Sequence, residues 1–360
     1  MIIAPFILII ISTYFIWKIS NSFDKAASYL TRNLSEGIKG PTVNAIASSL
    51  PELLISFFFL FYIGDVHGFS AGFATIIGSS IFNIAMIPTI CFLVIYYKHG
   101  VRVFPTDKNI ILQDGIFLLL TEIVLFSALY FGGISVTLAI GLMTLYLIYI
   151  FLIIYLRSKN KNTEPKIKDS VIKTESPKKS LLNKIITLDL IALFYEKKEP
   201  TNFKAILILI ISVLIISLSC KQLVASSEDL SEIFNLNLFF VTFFITAIAS
   251  SIPDTILSVK DANKKKYKDA FSNAYASNIF DICIGIGLPV TIYLIINGAN
   301  EISTATSSES SSLILVSSVL LILFTTIITF IYYIKDINLF RSILIIGLYL
   351  TFLATIFYIS

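Results

Sequence analysis

The sequence predicts an all-α polytopic membrane protein with ten transmembrane helices arranged as two inverted five-helix repeats. Three observations predict it. The 360 residues are 56% hydrophobic and only 14% charged, where a soluble domain has roughly 25% charged residues. Apolar stretches of about 20 residues, the length that crosses a bilayer core, recur along the whole chain. A twelve-residue motif in the first half returns in the second.

Each span follows from that ruler. The candidates are about 2–22, 38–63, 71–97, 111–131 and 134–156, then 203–226, 235–259, 269–297, 312–334 and 339–359. The stretch Met1 to Ile19 has no basic residue before it, and Lys18 and Lys25 close it or follow it. It therefore reads as an uncleaved first span and not as a signal peptide. Residues 1–156 form the first repeat unit and 203–360 the second. Between them, 157–202 is rich in Lys, Asn, Ser, Thr and Pro and is expected to be a linker. Within it, Leu181, Leu182, Ile185, Ile186, Leu190, Leu193 and Phe194 recur near helical spacing, which suggests an amphipathic surface helix over 180–196.

Charge sets the orientation. In a ten-span plan Arg32, Lys39, Lys98, Arg102, Lys108, the linker, Lys264 to Lys266, Lys268, Lys335 and Arg341 all fall on one side. The positive-inside rule makes that side the cytosol and puts both termini outside. The opposite loops carry Asp65, Glu228, Asp229, Glu232, Glu301 and Glu309, with Lys221 as the basic exception. The net charge of +4 comes from these loops, so it argues against nucleic-acid binding. Cys91, Cys220 and Cys283 lie in apolar stretches, and with only two histidines neither a disulfide framework nor a zinc centre is expected.

The repeat carries the chemistry. Ala45 to Ser56 reads AIASSLPELLIS and Ala247 to Ser258 reads AIASSIPDTILS, seven identities in twelve. A second match, SSIFNI from Ser79 and SNIFDI from Ser277, follows in each next span, with Pro88 and Pro289 beyond it. Five spans per half is odd, so the second unit enters the membrane from the opposite side, which is transporter architecture. Glu52 and Asp254 sit near mid-span, where a charge costs at least a few kcal/mol. Ser48, Ser49, Glu52 and Ser56 share one helix face, as do Ser250, Ser251, Asp254 and Ser258.

Pro51 and Pro253 cannot engage the carbonyls of Ala47 and Ala249, which frees a main-chain oxygen beside each acid. Ser79 with Asn83 and Ser277 with Asp281 add i, i+4 pairs. The donors are all oxygen, which suits hard cations: calcium by number and adaptability, sodium through hydroxyls and carbonyls. One divalent ion or several monovalent ions would neutralise the same acids, and mutually exclusive occupancy in an alternating repeat is antiport. Any single serine such as Ser56, Ser79 or Ser258 is more often packing or back-bonded to its own turn. Glu122 is a lone acid in the fourth span.

These residues resemble the two alpha repeats of the sodium/calcium exchangers of the cation/calcium antiporter superfamily, whose pattern is a small residue, Ser/Thr, Ser, any, Pro, then Glu or Asp. The His67-Gly68-Phe69 element is similar to the first repeat of eukaryotic members. The resemblance implies sodium/calcium exchange by alternating access, with the first and sixth helices sliding across the rest. It implies calcium binding by Glu52, Asp254, Ser48, Ala47, Ser250 and Ala249. Sodium would be bound by Ser49, Ser79, Asn83, Ser251, Ser277 and Asp281 together with Glu52 and Asp254. The metal-binding acids are then Glu52, Asp254 and Asp281. The usual Gly-Thr is here Ala47-Ser48 and Ala249-Ser250, which keeps a hydroxyl, and Asp254 is one methylene shorter than Glu.

SNIFDI with Gly287-Leu288-Pro289 looks most like potassium-dependent exchangers, in which an aspartate at the position of Asp281 helps bind potassium, so potassium co-transport is a further option. The alternatives are a proton-coupled calcium or cation exchanger and a sodium-coupled exchanger of another cation. An intramembrane aspartyl enzyme using Asp254 and Asp281 lacks its Gly-x-Gly-Asp signature, so no enzymatic activity is expected. No cofactor and no obligatory protein partner are implied, only the lipid bilayer and transported inorganic cations. The expected location is a plasma or cell membrane.

Overall fold

The structure, a computed structural model, describes residues 3–32, 34, 38–158, 187–194, 201–303 and 309–359. The first half runs α1 (Ile3–Leu30), a π-helical turn (Gly40–Asn44), α2 (Ala45–Ser48), α3 (Leu50–Tyr62), α4 (Asp65–His99), α5 (Lys108–Tyr130) and α6 (Val136–Ser158). After α7 (Leu190–Phe194) the second half runs α8 (Asn202–Phe234), α9 (Leu238–Val241), a π-helical turn (Thr242–Thr246), α10 (Ala247–Ser250) and α11 (Ile252–Asn263). It continues through α12 (Tyr267–Phe280), a π-helical turn (Asp281–Ile286), α13 (Gly287–Asn297), α14 (Glu309–Ile334) and α15 (Leu339–Ile359). Among the described residues nine helical stretches are long and apolar enough to cross a membrane, ten when the bent pair Gly40–Ser48 and Leu50–Tyr62 counts as one span.

Several helices outrun their apolar cores. α1 has 28 residues, α4 has 35 and α8 has 33, because a helix once started propagates readily, here through polar continuations such as Ser20 to Lys25. Stops are local: Gly100 and Gly298 take left-handed φ of 67° and 63°, which closes α4 and α13. Starts are capped, as where Asp107 Oδ1 accepts from the amides of Asn109 and Ile110.

α1 packs lengthwise on α8 through Ile9, Ile16, Ile19, Cys220, Leu223 and Val224. In the larger core α11, α12, α14 and α15 pack directly on α4, with α5 laid against α12 and α14 and α6 against α13. In the most apolar stretch of α4, 78% of residues are buried, against 28% for α6 and α15. α4 is therefore the central column, while the outer faces of α6, α8 and α15 present residues such as Leu147, Leu218 and Leu350 to lipid.

The halves are tied at both ends. At one end β1 (Gly133–Ser135) pairs antiparallel with β2 (Glu301–Ser303), Gly133 opposite Ser303. At the other, Phe104 and Ile337 exchange backbone hydrogen bonds of 2.9 and 3.1 Å. That second end is where the basic loops converge: Lys268 lies 3.7 Å from Asp107, and Gly40 N donates to Asp269 Oδ1 at 3.1 Å. Arg157, which composition assigns to the linker, belongs to α6 and pairs with Asp114 at 2.7 Å. Most of the linker, including 180–186 and 195–196 of the expected surface helix, lies outside the described residues. Its described part is one helical turn, with Leu190 and Ile191 buried against the α1–α8 pair.

Candidate cation-binding site

Two broken helices build the site. The second span breaks at Ser49 (φ −88°, ψ 6°) and the seventh at Ser251 (φ −77°, ψ −3°). Pro51 and Pro253 then fall in the first turns of α3 and α11, where a missing N–H costs nothing. In the second span the break turns the axis by 45°. Glu52 and Asp254 occupy those same first turns, at the positive ends of the half-helices. Both are fully buried.

α4 brings the hydroxyls in. A side chain at Gly78 would meet Phe243 O at 2.4 Å and Ala247 Cβ at 2.7 Å, so only glycine lets α4 approach the second broken helix this closely. The next residue, Ser79, lies 3.1 Å from Ser251 Oγ, across the two repeats. Asn83 Nδ2 reaches Asp254 Oδ2 at 3.3 Å, Asn278 Oδ1 at 3.1 Å and Ser79 Oγ at 3.4 Å. Ser277 Oγ donates to Asp254 Oδ1 at 2.7 Å, and Asn273 Nδ2 to the same oxygen at 3.4 Å.

Glu52 and Asp281 are different. Neither oxygen of either carboxyl accepts a hydrogen bond from the described residues, and Ser49 Oγ and Asn83 Oδ1 are likewise unpartnered. All four side chains are at 0% exposure. Hydroxyls stand close by: Ser250 and Ser79 beside Glu52, Ser49 and Ser79 beside Asp281, with Ser48 beside Asp254. Ser48 Oγ donates to Asn44 O at 2.7 Å and Ser250 Oγ to Ala247 O at 3.0 Å. A hydroxyl that gives its proton to its own helix still offers its lone pairs to a cation. A buried carboxylate with no donor costs several kcal/mol, and a bound cation or proton would remove that cost.

Each expected site residue, Ala47 and Ala249 included, lies on the second span, the seventh span, α4, or α12 with the π-helical turn that follows it. Among the described residues no three His, Cys, Asp or Glu side chains converge tightly enough to hold a metal ion by themselves. A cation here would therefore take much of its shell from hydroxyls, carboxamides and carbonyls. Glu122 is not part of the site: it lies between α5 and α14, accepting from Thr325 Oγ1 at 2.8 Å. Sequence reasoning missed Asn273 and Asn278. The signal for Asn273 was available, because Asn273, Ser277 and Asp281 fall four residues apart on one face.

Fold and site together define a ten-span inverted-repeat membrane protein with paired carboxyls at its centre. The chain belongs to the sodium/calcium exchanger protein family, whose pattern matches residues 4–155 and 204–358. It is 33% identical over 109 residues to sodium/potassium/calcium exchanger 2 of Gallus gallus, a match covering 30% of this chain and 16% of that protein's length. It is 26% identical over 271 residues to inner membrane protein YrbG of Escherichia coli K12, covering 74% and 73%. Among solved structures, the H+/Ca2+ exchanger CAX superposes with a TM-score of 0.64 at 17% identity over 98% of this chain and 90% of that one. The sodium-calcium exchanger NCX_Mj gives 0.57 at 19% identity over 98% and 99%. At those identities the likeness is one of fold.

Proposed function

We propose that the chain is a secondary active antiporter that exchanges sodium for calcium by alternating access between its two repeats. The observation that carries this reading is the set of four carboxyl oxygens, on Glu52 and Asp281, buried without a donor beside Asp254. Calcium would be held by Glu52 and Asp254, the hydroxyls of Ser48 and Ser250, and the carbonyls of Ala47 and Ala249. Sodium ions would use Ser49, Ser79, Asn83, Ser251, Ser277 and Asp281 with the same two acids. Because both loads need Glu52 and Asp254, either excludes the other, and that exclusion couples their movements. Asp281 also offers a place for potassium as a co-transported ion, in keeping with the names of several relatives. The basic end is assigned to the cytosol and both termini to the outside, in a cell or plasma membrane.

The test is equilibrium binding of radioactive calcium to the detergent-solubilised protein with sodium titrated in. The expected result is cooperative displacement by sodium and loss of binding in Glu52→Gln. Calcium binding that sodium leaves untouched contradicts the reading. Proton coupling is the second reading, favoured by the same unpartnered oxygens, which a proton satisfies as well. Displacement by acid in place of sodium selects it.

A further inference from the structure

A cleft enters the bundle between α1 and α11 from the end that carries the basic loops. α1 lines it with Trp17, Asn21 and Asp24, and α11 with Pro253, Leu257 and Lys260. Its inner end is walled by Ala47 and Ser48, the residues whose carbonyl and hydroxyl flank Asp254 in the proposed site. From Pro253 to Lys260 is two helical turns, about 10 Å of rise. A cation moving between Ser48 and the basic end by this cleft therefore passes the Lys260 side chain. Its amine is held in the cleft by a hydrogen bond that Nζ donates to Asn21 Oδ1, from one wall to the other. Asp24 and Asp261 offset its charge in part, while Lys25 and Lys264 add to it.

We propose that the Lys260 amine is a fixed positive charge on the ion path, which makes passage through this mouth harder for a divalent than for a monovalent cation. The inference rests on the antiport reading of the site. The repulsion scales with the valence of the passing ion, so whatever factor the lysine imposes on sodium, it imposes the square of that factor on calcium. Lys260 thus biases which ion is captured from the basic side. It lies seven residues beyond Pro253 and outside the repeated motif, which is why the repeat comparison does not single it out.

The experiment is exchange in right-side-out and inverted vesicles from cells expressing the full chain, with Lys260→Gln, Lys260→Arg and the unaltered protein side by side. Half-saturating sodium and calcium are read from each face. With Lys260→Gln, the sodium value from the basic face should fall roughly two- to threefold and the calcium value by about the square of that. Both effects should shrink at high ionic strength, and values from the opposite face should not change. Lys260→Arg keeps the charge and should match the unaltered protein. Equal factors for the two ions, equal shifts from both faces, or a shift shared by Lys260→Arg would each overturn the inference. Exchange by the unaltered protein in the same vesicles separates the two claims. Its absence overturns the antiport reading and this inference with it, whereas exchange with a symmetric shift overturns this inference alone.

Discussion

Asn83 and Asp281 stand at the same place in the two repeats and differ by one functional group, yet their surroundings differ completely. The Asn83 amide donates across the repeats to Asp254 and Asn278, whereas no described donor reaches Asp281. Asp281→Asn should therefore abolish stimulation of exchange by potassium and raise the sodium concentration needed for half-maximal exchange; unchanged potassium dependence would contradict the role given to this carboxyl. Asn278 bonds Ser80 O at 2.8 Å and accepts from Asn83, so Asn278→Ala should lower stability by about 1–3 kcal/mol, read by thermal unfolding in detergent. At this scale the duplicated acids and the serines at helical spacing were legible, because mid-membrane charge and repeated polarity need a cause. Asn278 was not: one carboxamide in a span reads as packing until its partners on another helix are known.

The broken spans set the geometry at the scale of elements. Proline predicts a kink and the freed carbonyls, but the break lies at Ser49 and Ser251, two residues before each proline, where the helix restarts with proline in its first turn. Pro51→Ala lets the helix run through the break at Ser49, so that the new amide engages Ala47 O, and should weaken calcium binding about tenfold through loss of that oxygen. An unaltered binding isotherm would remove Ala47 from the proposed shell. Gly78→Ala places a methyl against Phe243 O and should cost about 1–3 kcal/mol while prising Ser79 from Ser251. The π-helical turns at Gly40–Asn44, Thr242–Thr246 and Asp281–Ile286 left no trace in hydrophobic periodicity, because one extra residue per turn shifts the pattern less than a membrane span blurs it.

At the scale of the whole molecule, a buried ion pair of the first half, Arg157 with Asp114, reaches the second half through Ser272. Asp114, on α5, accepts from Arg157 at 2.7 Å, from Tyr149 at 3.1 Å and from Ser272 on α12. Arg157→Ala strands this carboxylate and should destabilise the protein by about 3–5 kcal/mol, with Asp114→Asn added in the double variant recovering part of the loss. Thermal unfolding of the two variants decides it. The ten-span plan and the clustering of basic loops at one end followed from composition and the repeat. The β1–β2 pairing and the Asp114 network did not, since three-residue strands and a single Arg at a linker boundary carry no periodic signal.

The central claim is that one site, built on Glu52 and Asp254, serves two ions in turn. Proteoliposomes loaded with sodium and diluted into sodium-free buffer containing radioactive calcium test it most directly, beside the Glu52→Gln protein. Uptake that requires internal sodium and is lost in the variant is the predicted result; uptake without internal sodium, or undiminished in folded Glu52→Gln, would contradict it.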